Sequence, residues 1–148
     1  MFIIFITLKG FVFMEIRTKI TGKEFNEMRK SVDWKDTNIE QLDKALENSM
    51  IVIGIYEDNE LVAMGRLVGD YYFKALLSDI IVKPSYQKKG YGKIVVTKIL
   101  EIAKENMEEG DILCIEGSPT KGNIDFYLKC GFKYKPEIQD GIYIWLKK

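Results

Sequence analysis

The residues best suited to chemistry lie in one run, Asp79–Lys93, which reads DIIVKPSYQKKGYGK. The apolar stretch Ile80, Ile81 and Val82 ends a strand. A loop containing Gln87, Lys88, Lys89, Gly90, Tyr91 and Gly92 comes next, and at Lys93 a long helical pattern is under way. A strand, a glycine-rich loop and a helix in that order make an anion cradle. Glycine lets the backbone come close to a ligand. The free N–H groups of the first helical turn point at it, and the helix dipole adds positive potential there. Lys88, Lys89 and Lys93 add charge, and the matching ligand is a pyrophosphate.

Spacing narrows the choice of cradle. A dinucleotide site requires G-x-G-x-x-G, and here Gly90-x-Gly92 continues to Val95. A P-loop requires G-x-x-x-x-G-K followed by Ser or Thr, which is absent. A plain strand-to-helix turn with solvated lysines is the alternative to a site. Composition removes other chemistries. The 148 residues include no histidine, so a Ser-His-Asp or Cys-His group and any His-containing metal site are excluded within the chain. The two cysteines, Cys114 and Cys130, fit no metal spacing and read as free buried thiols of a reducing compartment, so the expected location is cytoplasmic and no metal is expected. With 22 basic and 22 acidic side chains the formal net charge is zero, which argues against a general nucleic-acid partner. That neutrality is uneven: residues 80–93 hold four lysines, Lys83, Lys88, Lys89 and Lys93, and no acid.

The elements that must position this run can be read from periodicity. Residues 1–13, MFIIFITLKGFVF, are apolar, but too short and too interrupted by Lys9-Gly10 for a membrane span of about 20 residues, so no membrane partner is expected. They also lack the charge and small residues of a signal peptide. They read as a start-site extension, with a single domain over residues 14–148. Glu15–Ile20 predicts a strand. Thr21 and Glu24 form a Thr-x-x-Glu capping box, which predicts a helix over residues 22–32. Asn38 precedes a second helix carrying Leu42, Ala45 and Leu46 on one face. Met50–Tyr56 and Leu61–Val68 predict a hairpin, and Phe73–Val82 a third strand. Val95, Val96, Ile99, Leu100, Ile102 and Ala103 recur at helical spacing over residues 92–107. A short strand at Ile112–Ile115, a helix at Gly122–Lys129 stopped by Gly131, and a closing antiparallel pair at Phe132–Lys135 and Gly141–Lys147 complete the chain. The strands flanking the long helix form a βαβ unit and should be parallel. The fold class is therefore α/β (α+β), a mixed, mostly antiparallel central sheet with helices on both faces.

Gln87-x-x-Gly90-x-Gly92, after Val82-Lys83-Pro84, resembles the acyl-CoA signature [QR]-x-x-G-x-[GA] of the GNAT N-acetyltransferase superfamily. Phe126-Tyr127-Leu128-Lys129-Cys130-Gly131-Phe132 is similar to the F-Y-x-x-x-G-F of the same superfamily. Ser31-Val32-Asp33-Trp34, Asn48-Ser49 and Gly65-Arg66-Leu67-Val68-Gly69-Asp70 resemble a bacterial and plastid branch that includes amine acetyltransferases. The resemblance covers about residues 14–148. It implies that the amides of Lys88, Lys89, Gly90, Tyr91 and Gly92, with Gln87 and Lys93, hold the pyrophosphate of acetyl-CoA as co-substrate. It implies that the backbone of Ile80, Ile81 and Val82 pairs with the pantetheine arm, and that an N–H near Ile80 or Ile81 polarises the thioester carbonyl. Tyr127 would protonate the departing thiolate, a transfer between a phenol of pKa about 10 and a thiol of about 8.5; packing on the sheet is its alternative role. Many members carry Asn seven residues before the tyrosine. Here Thr120 stands there and Asn123 is out of register, so no cofactor-binding Asn is assigned.

An attacking amine must lose a proton. Without histidine the acceptor is a carboxylate or water, and Asp79 and Glu116 are the candidate carboxylates, Asp79 only if it points into the cleft, its alternatives being exposure or a pair with Arg66. Residues 33–47 hold Asp33, Asp36, Glu40, Asp43 and Glu47 against Lys35 and Lys44, a mild excess that would draw a cationic amine unless it is a solvated face. Trp34 either lines an aromatic-amine pocket or belongs to the core. The expected activity is acetyl transfer from acetyl-CoA to a primary amine, of a small molecule first and of a protein or peptide second, by direct attack. A CoA-binding sensor without turnover is the alternative of a different class. A homodimer is compatible with the family likeness.

Overall fold

The computed structural model describes residues 3–7, 12–137 and 141–148. Its elements in chain order are β1 (Ile3–Thr7), β2 (Val12–Arg17), α1 (Gly22–Ser31), α2 (Ile39–Glu47), β3 (Ile51–Glu57), β4 (Glu60–Gly69), β5 (Lys74–Val82), a 3-10 turn (Pro84–Tyr86), α3 (Tyr91–Glu105), β6 (Ile112–Gly117), α4 (Ile124–Lys129), β7 (Lys133–Lys135) and β8 (Gly141–Lys147). They build one eight-stranded sheet in the order β1-β2-β3-β4-β5-β6-β8-β7. Every described pairing is antiparallel except β5–β6, which is parallel as the βαβ reading requires. Of the segment 1–13 read as an extension, residues 1, 2 and 8–11 lie outside the described residues. Ile3–Thr7 pairs with β2, so that strand begins at Val12 rather than at Glu15.

The local signals act as their chemistry dictates. The Thr21 hydroxyl accepts from Glu24 N–H and the Glu24 carboxylate accepts from Thr21 N–H, closing the capping box. Asn38 caps α2 through Gln41 N–H. Asp58 and Asn59 take φ of 47° and 65°, the left-handed pair that a two-residue hairpin between β3 and β4 needs.

The sheet separates two cores. Helix α3 packs Val95, Val96 and Ile99, each fully buried, against Ile53, Ile55, Val62, Leu77 and Ile115. Helices α1 and α2 cover the other face with Phe25, Met28, Leu42 and Leu46 against Val52, Tyr56, Met64 and Ile81. Among the described residues no helix is long and apolar enough to cross a membrane.

Two irregularities in β5 shape the open end of the sheet. β5 and β6 pair only from Lys74–Leu76 to Cys114–Glu116, and the two strands do not pair beyond Leu76 and Glu116. Opposite β4, Arg66 pairs with Ser78 but Met64 pairs with Ile81, so Asp79 and Ile80 together oppose Gly65. This is a β-bulge, and the extra residue reverses which edge each later residue faces. Before it, Phe73 C=O accepts from Cys114 N–H, so odd-numbered residues face β6. After it, Lys83 N–H donates to Val62 C=O, so Ile81 faces β4 while Ile80 and Val82 turn their backbone groups to the open edge. Gly65 fits opposite the bulge because it has no side chain: a Cβ there would collide with Ile80 Cδ1 and lie 2.6 Å from Val95 Cγ1.

Candidate active site

Beyond Leu76 the sheet opens into two joined clefts. One, of about 350 Å³, lies between the ends of β5 and β6 and is lined in part by Trp34, Ser78, Asp79, Thr120 and Ile142. The other, of about 490 Å³, runs along the outer end of β5 to the start of α3 and includes Val82, Gln87, Lys88, Gly90, Gly92 and Lys93. Ile80, Asn123 and Tyr127 line both, so Tyr127 stands where they meet.

The start of α3 is built to leave donors open. Gly90 is its N-cap with φ 93°, a left-handed conformation that glycine adopts at little cost, and no side chain caps the helix. The helical ladder begins with Ile94 N–H to Gly90 C=O, which leaves the N–H groups of Tyr91, Gly92 and Lys93 without helical acceptors. The first turn carries no acid. Gln87 folds back, its Nε2 donating to Val82 C=O at 3.0 Å, which ties the loop to the end of β5. Lys88 and Lys93 are exposed at the cleft. Lys89 lies over the Tyr86 ring, 5.2 Å from its centroid, and Tyr86 meets Tyr91 edge-on. Lys83 is paired with Glu60, and among the described residues Lys88, Lys89 and Lys93 make no ion pair.

Tyr127 is fixed from behind. Helix α4 ends in a Schellman turn: Gly131 takes φ 97°, Phe132 N–H donates to Tyr127 C=O and Gly131 N–H donates to Leu128 C=O. The glycine and second phenylalanine of the sequence pattern are thus explained by the helix end they form. Phe126 and the buried Phe132 both meet the Tyr127 ring edge-on, at 4.8 and 6.0 Å between centroids. Burial, with a lesser effect of Cys130, pushes the phenol up to about 12, so it keeps its proton at any working pH. Burial also raises the Cys130 thiol above its ordinary value, which leaves it un-ionised and a poor nucleophile.

The two candidate carboxylates are engaged elsewhere. Asp79 lines the cleft, but Arg66 Nε donates to its Oδ2 at 2.6 Å and Ser78 Oγ to the same oxygen at 2.9 Å. Arg29 Nη1 lies 3.8 Å from Oδ1. Glu116 accepts from Lys135 at 2.5 Å and Lys74 at 3.0 Å, which hold it below the usual carboxylate range. It sits on β6 beside Leu76 and does not line either cleft. Both are thus held in ion pairs rather than standing free as proton acceptors. Ile81 is corrected: its backbone pairs with Met64 and its side chain is 2% exposed under α1 and α2. The acids of residues 33–47 are also partly spent, Asp36 on Asn26 and Asp43 on Gly22 N–H. Trp34 lines the cleft between β5 and β6 and also packs against the core beneath α1 and α2, and the Arg29 guanidinium lies over its ring at 5.5 Å. Asn123, out of register in the sequence, reaches both clefts and donates to Thr120 Oγ1 at 2.6 Å. Among the described residues no cluster of three His, Cys, Asp or Glu side chains could hold a metal ion.

Known proteins share this framework. Residues 15–132 match the model of the acetyltransferase (GNAT) family. A Prochlorococcus marinus protein named as an uncharacterized ycf52-like N-acetyltransferase is 29% identical over 131 residues, which are 86% of this chain and 70% of its own length. The crystal structure of a probable acetyltransferase, SA2161 of Staphylococcus aureus, superposes with a TM-score of 0.74 at 22% identity, covering 91% of this chain and 99% of the other. A Bacillus subtilis acetyltransferase crystallised in complex with CoA does so with a TM-score of 0.62 at 21% identity, over 93% and 99%. The last two show a common fold, and the family model covers most of the sequence: the chain belongs to the GNAT acetyltransferase family.

Proposed function

We propose that the protein transfers the acetyl group of acetyl-CoA to a primary amine, a small-molecule amine before a peptide one, by direct attack. The observation that carries this reading is the parting of β5 and β6 with Tyr127 at the junction of the two clefts. A thioester lying along the open edge of β5 would meet the outward backbone of Ile80 and Val82. Its pyrophosphate would reach the open N–H groups of Tyr91, Gly92 and Lys93 with Lys88 and Lys93 beside them. The acceptor amine would enter from the Trp34 side. Its nitrogen attacks the carbonyl carbon, the carbon–sulfur bond breaks, the sulfur takes a proton from Tyr127, the amine proton leaves to water, and the phenolate recovers a proton from water. Water is assigned that role because Asp79 and Glu116 are held by cations. No acetyl-enzyme forms, since the nearby thiol is un-ionised. The small acceptor cleft, about 350 Å³, favours a small amine over a folded protein surface.

Acetyl-CoA should raise the melting temperature, and thiol release should depend on amine when polyamines, arylalkylamines, amino acids and peptides are tried in turn. A melting temperature unchanged by millimolar acetyl-CoA would remove this reading. Stabilisation with no turnover on any amine would favour a CoA-binding sensor instead.

A further inference from the structure

The element that aims the thioester is the bulge of β5, and its conformation is unusual. Asp79 has φ 53°, in the left-handed region that a side chain disfavours. Such strain persists only where the surroundings hold it. Here three elements converge on its one carboxylate. From β4, Arg66 donates through Nε, while its Nη1 is held by Ser49 Oγ at 3.2 Å and Ala45 C=O at 3.4 Å near the end of α2. From α1, Arg29 approaches at 3.8 Å. From β5 itself, Ser78 donates. The side chains of Asp79, Arg66 and Arg29 are only 11%, 18% and 21% exposed.

We infer that Asp79 is a positioning residue: its clamp to Arg66 and Ser78 holds the left-handed kink that turns the Ile80 N–H outward onto the thioester carbonyl. Were the alternation to run unbroken through Asp79, Ile80 would turn toward β4 and Asp79 and Ile81 would face the open edge instead, so the kink decides that the donor there is Ile80. The clamp thus acts through Ile80 and touches no substrate. This rests on the proposed placement of acetyl-CoA along β5.

Three substitutions at one position separate the roles Asp79 could have. Asp79→Asn keeps a side chain that tolerates left-handed backbone and can still accept from Ser78 or Arg66. Asp79→Gly keeps the backbone and loses the clamp. Asp79→Ala loses both. The positioning role gives kcat in the order wild type, Asn, Gly, Ala, with Ala down about 100-fold, the scale of a misplaced oxyanion donor, and the dissociation constant for CoA within about threefold of wild type. A base role gives equal losses for all three, and a purely structural role gives unchanged kcat per folded molecule; either result overturns the inference. The acetyl carbonyl stretch of bound 13C-labelled acetyl-CoA supplies a second readout. It should lie below its frequency in water for wild type and return toward that value in Asp79→Ala. If the alanine variant does not fold, Arg66→Lys takes its place, with an expected kcat loss of about tenfold and the same carbonyl movement; an unmoved carbonyl refutes the clamp. Calorimetry of wild type with CoA keeps the two readings apart. No binding overturns the acetyltransferase reading and this one with it. Binding and turnover with Asn, Gly and Ala alike overturn this one alone.

Discussion

Replacing Tyr127 by Phe removes one oxygen at the meeting point of the two clefts and leaves the ring against Phe126 and Phe132. Among the described residues the Tyr127 hydroxyl makes no hydrogen bond, so the fold should lose less than about 1 kcal/mol. The effect on turnover can be bounded. A positioned general acid is worth about 10²- to 10⁴-fold. A phenol at about 12 facing a thiol of about 8.5 gives up its proton uphill by about 3.5 units, or about 5 kcal/mol. That mismatch places Tyr127 at the lower end, about 100-fold in kcat, or about 2.7 kcal/mol of barrier. Affinity for CoA should change by less than about threefold, since the hydroxyl acts late. Steady-state thiol release, with calorimetry for CoA, reads both quantities. The pH profile adds an independent check. Because the phenol holds its proton up to about 12, wild-type kcat should show no fall between about pH 8 and 10. A Tyr127→Phe enzyme with kcat within about threefold of wild type would refute the acid role, whereas a wild-type alkaline limb near about 10 that the variant lacks would keep the acid and refute its raised proton affinity.

Other perturbations test the frame around that residue. Gly65→Ala drives a methyl into Ile80 Cδ1 and Val95 Cγ1; overpacking of this kind costs about 1–3 kcal/mol, so the melting temperature should drop by about 3–10 °C and kcat should fall, while an unchanged melting temperature would contradict the tight fit. Gly90→Ala meets open space but must hold φ 93°, a strain of about 1–2 kcal/mol, so CoA affinity should weaken by about tenfold in calorimetry, and equal affinity would show that the loop adopts another conformation. Stability should decline above about pH 10: an unfolded tyrosine loses its proton near about 10 whereas native Tyr127 keeps it to about 12, so the folded chain binds more protons in that window and loses about 2 kcal/mol across it. Tyr56 acts in the same direction through burial and Glu24, and Tyr127→Phe should flatten part of the decline in denaturant titrations at rising pH. Thr21→Ala opens the capping box of α1 and should cost about 1 kcal/mol, and a change in kcat as large as that of Tyr127→Phe would place α1 nearer the chemistry than its geometry allows.

What the sequence disclosed and what it withheld divide along a physical line. Element order after β1, the parallel pair, the Thr21–Glu24 box, Asn38 ahead of α2 and the stop at Gly131 follow from contiguous runs of sequence, and each was legible. The cradle was legible for the same reason, since loop and helix start are contiguous. The electrostatics were not. For Asp79 the sequence offered both a base and a partner of Arg66, 13 residues earlier, and the choice turned on Arg29, on another element, also being seen to share it. Glu116 depends on Lys74 and Lys135, which lie 42 and 19 residues away, and the charge of Lys83 is cancelled by Glu60 across a hairpin. The bulge was equally hidden, because a strand of nine residues shows no extra member until its partner is counted against it. Its hydrophobic pattern does hold a trace: Ala75 and Leu77 face α3 at odd positions, then Ile80 and Val82 do so at even ones. That change of parity within one strand signals an inserted residue, and the residue at the change, Asp79, is the one whose backbone is left-handed. A polar residue at a parity change is therefore better read first as a support for bent backbone, and as a proton carrier only when no cation is within reach.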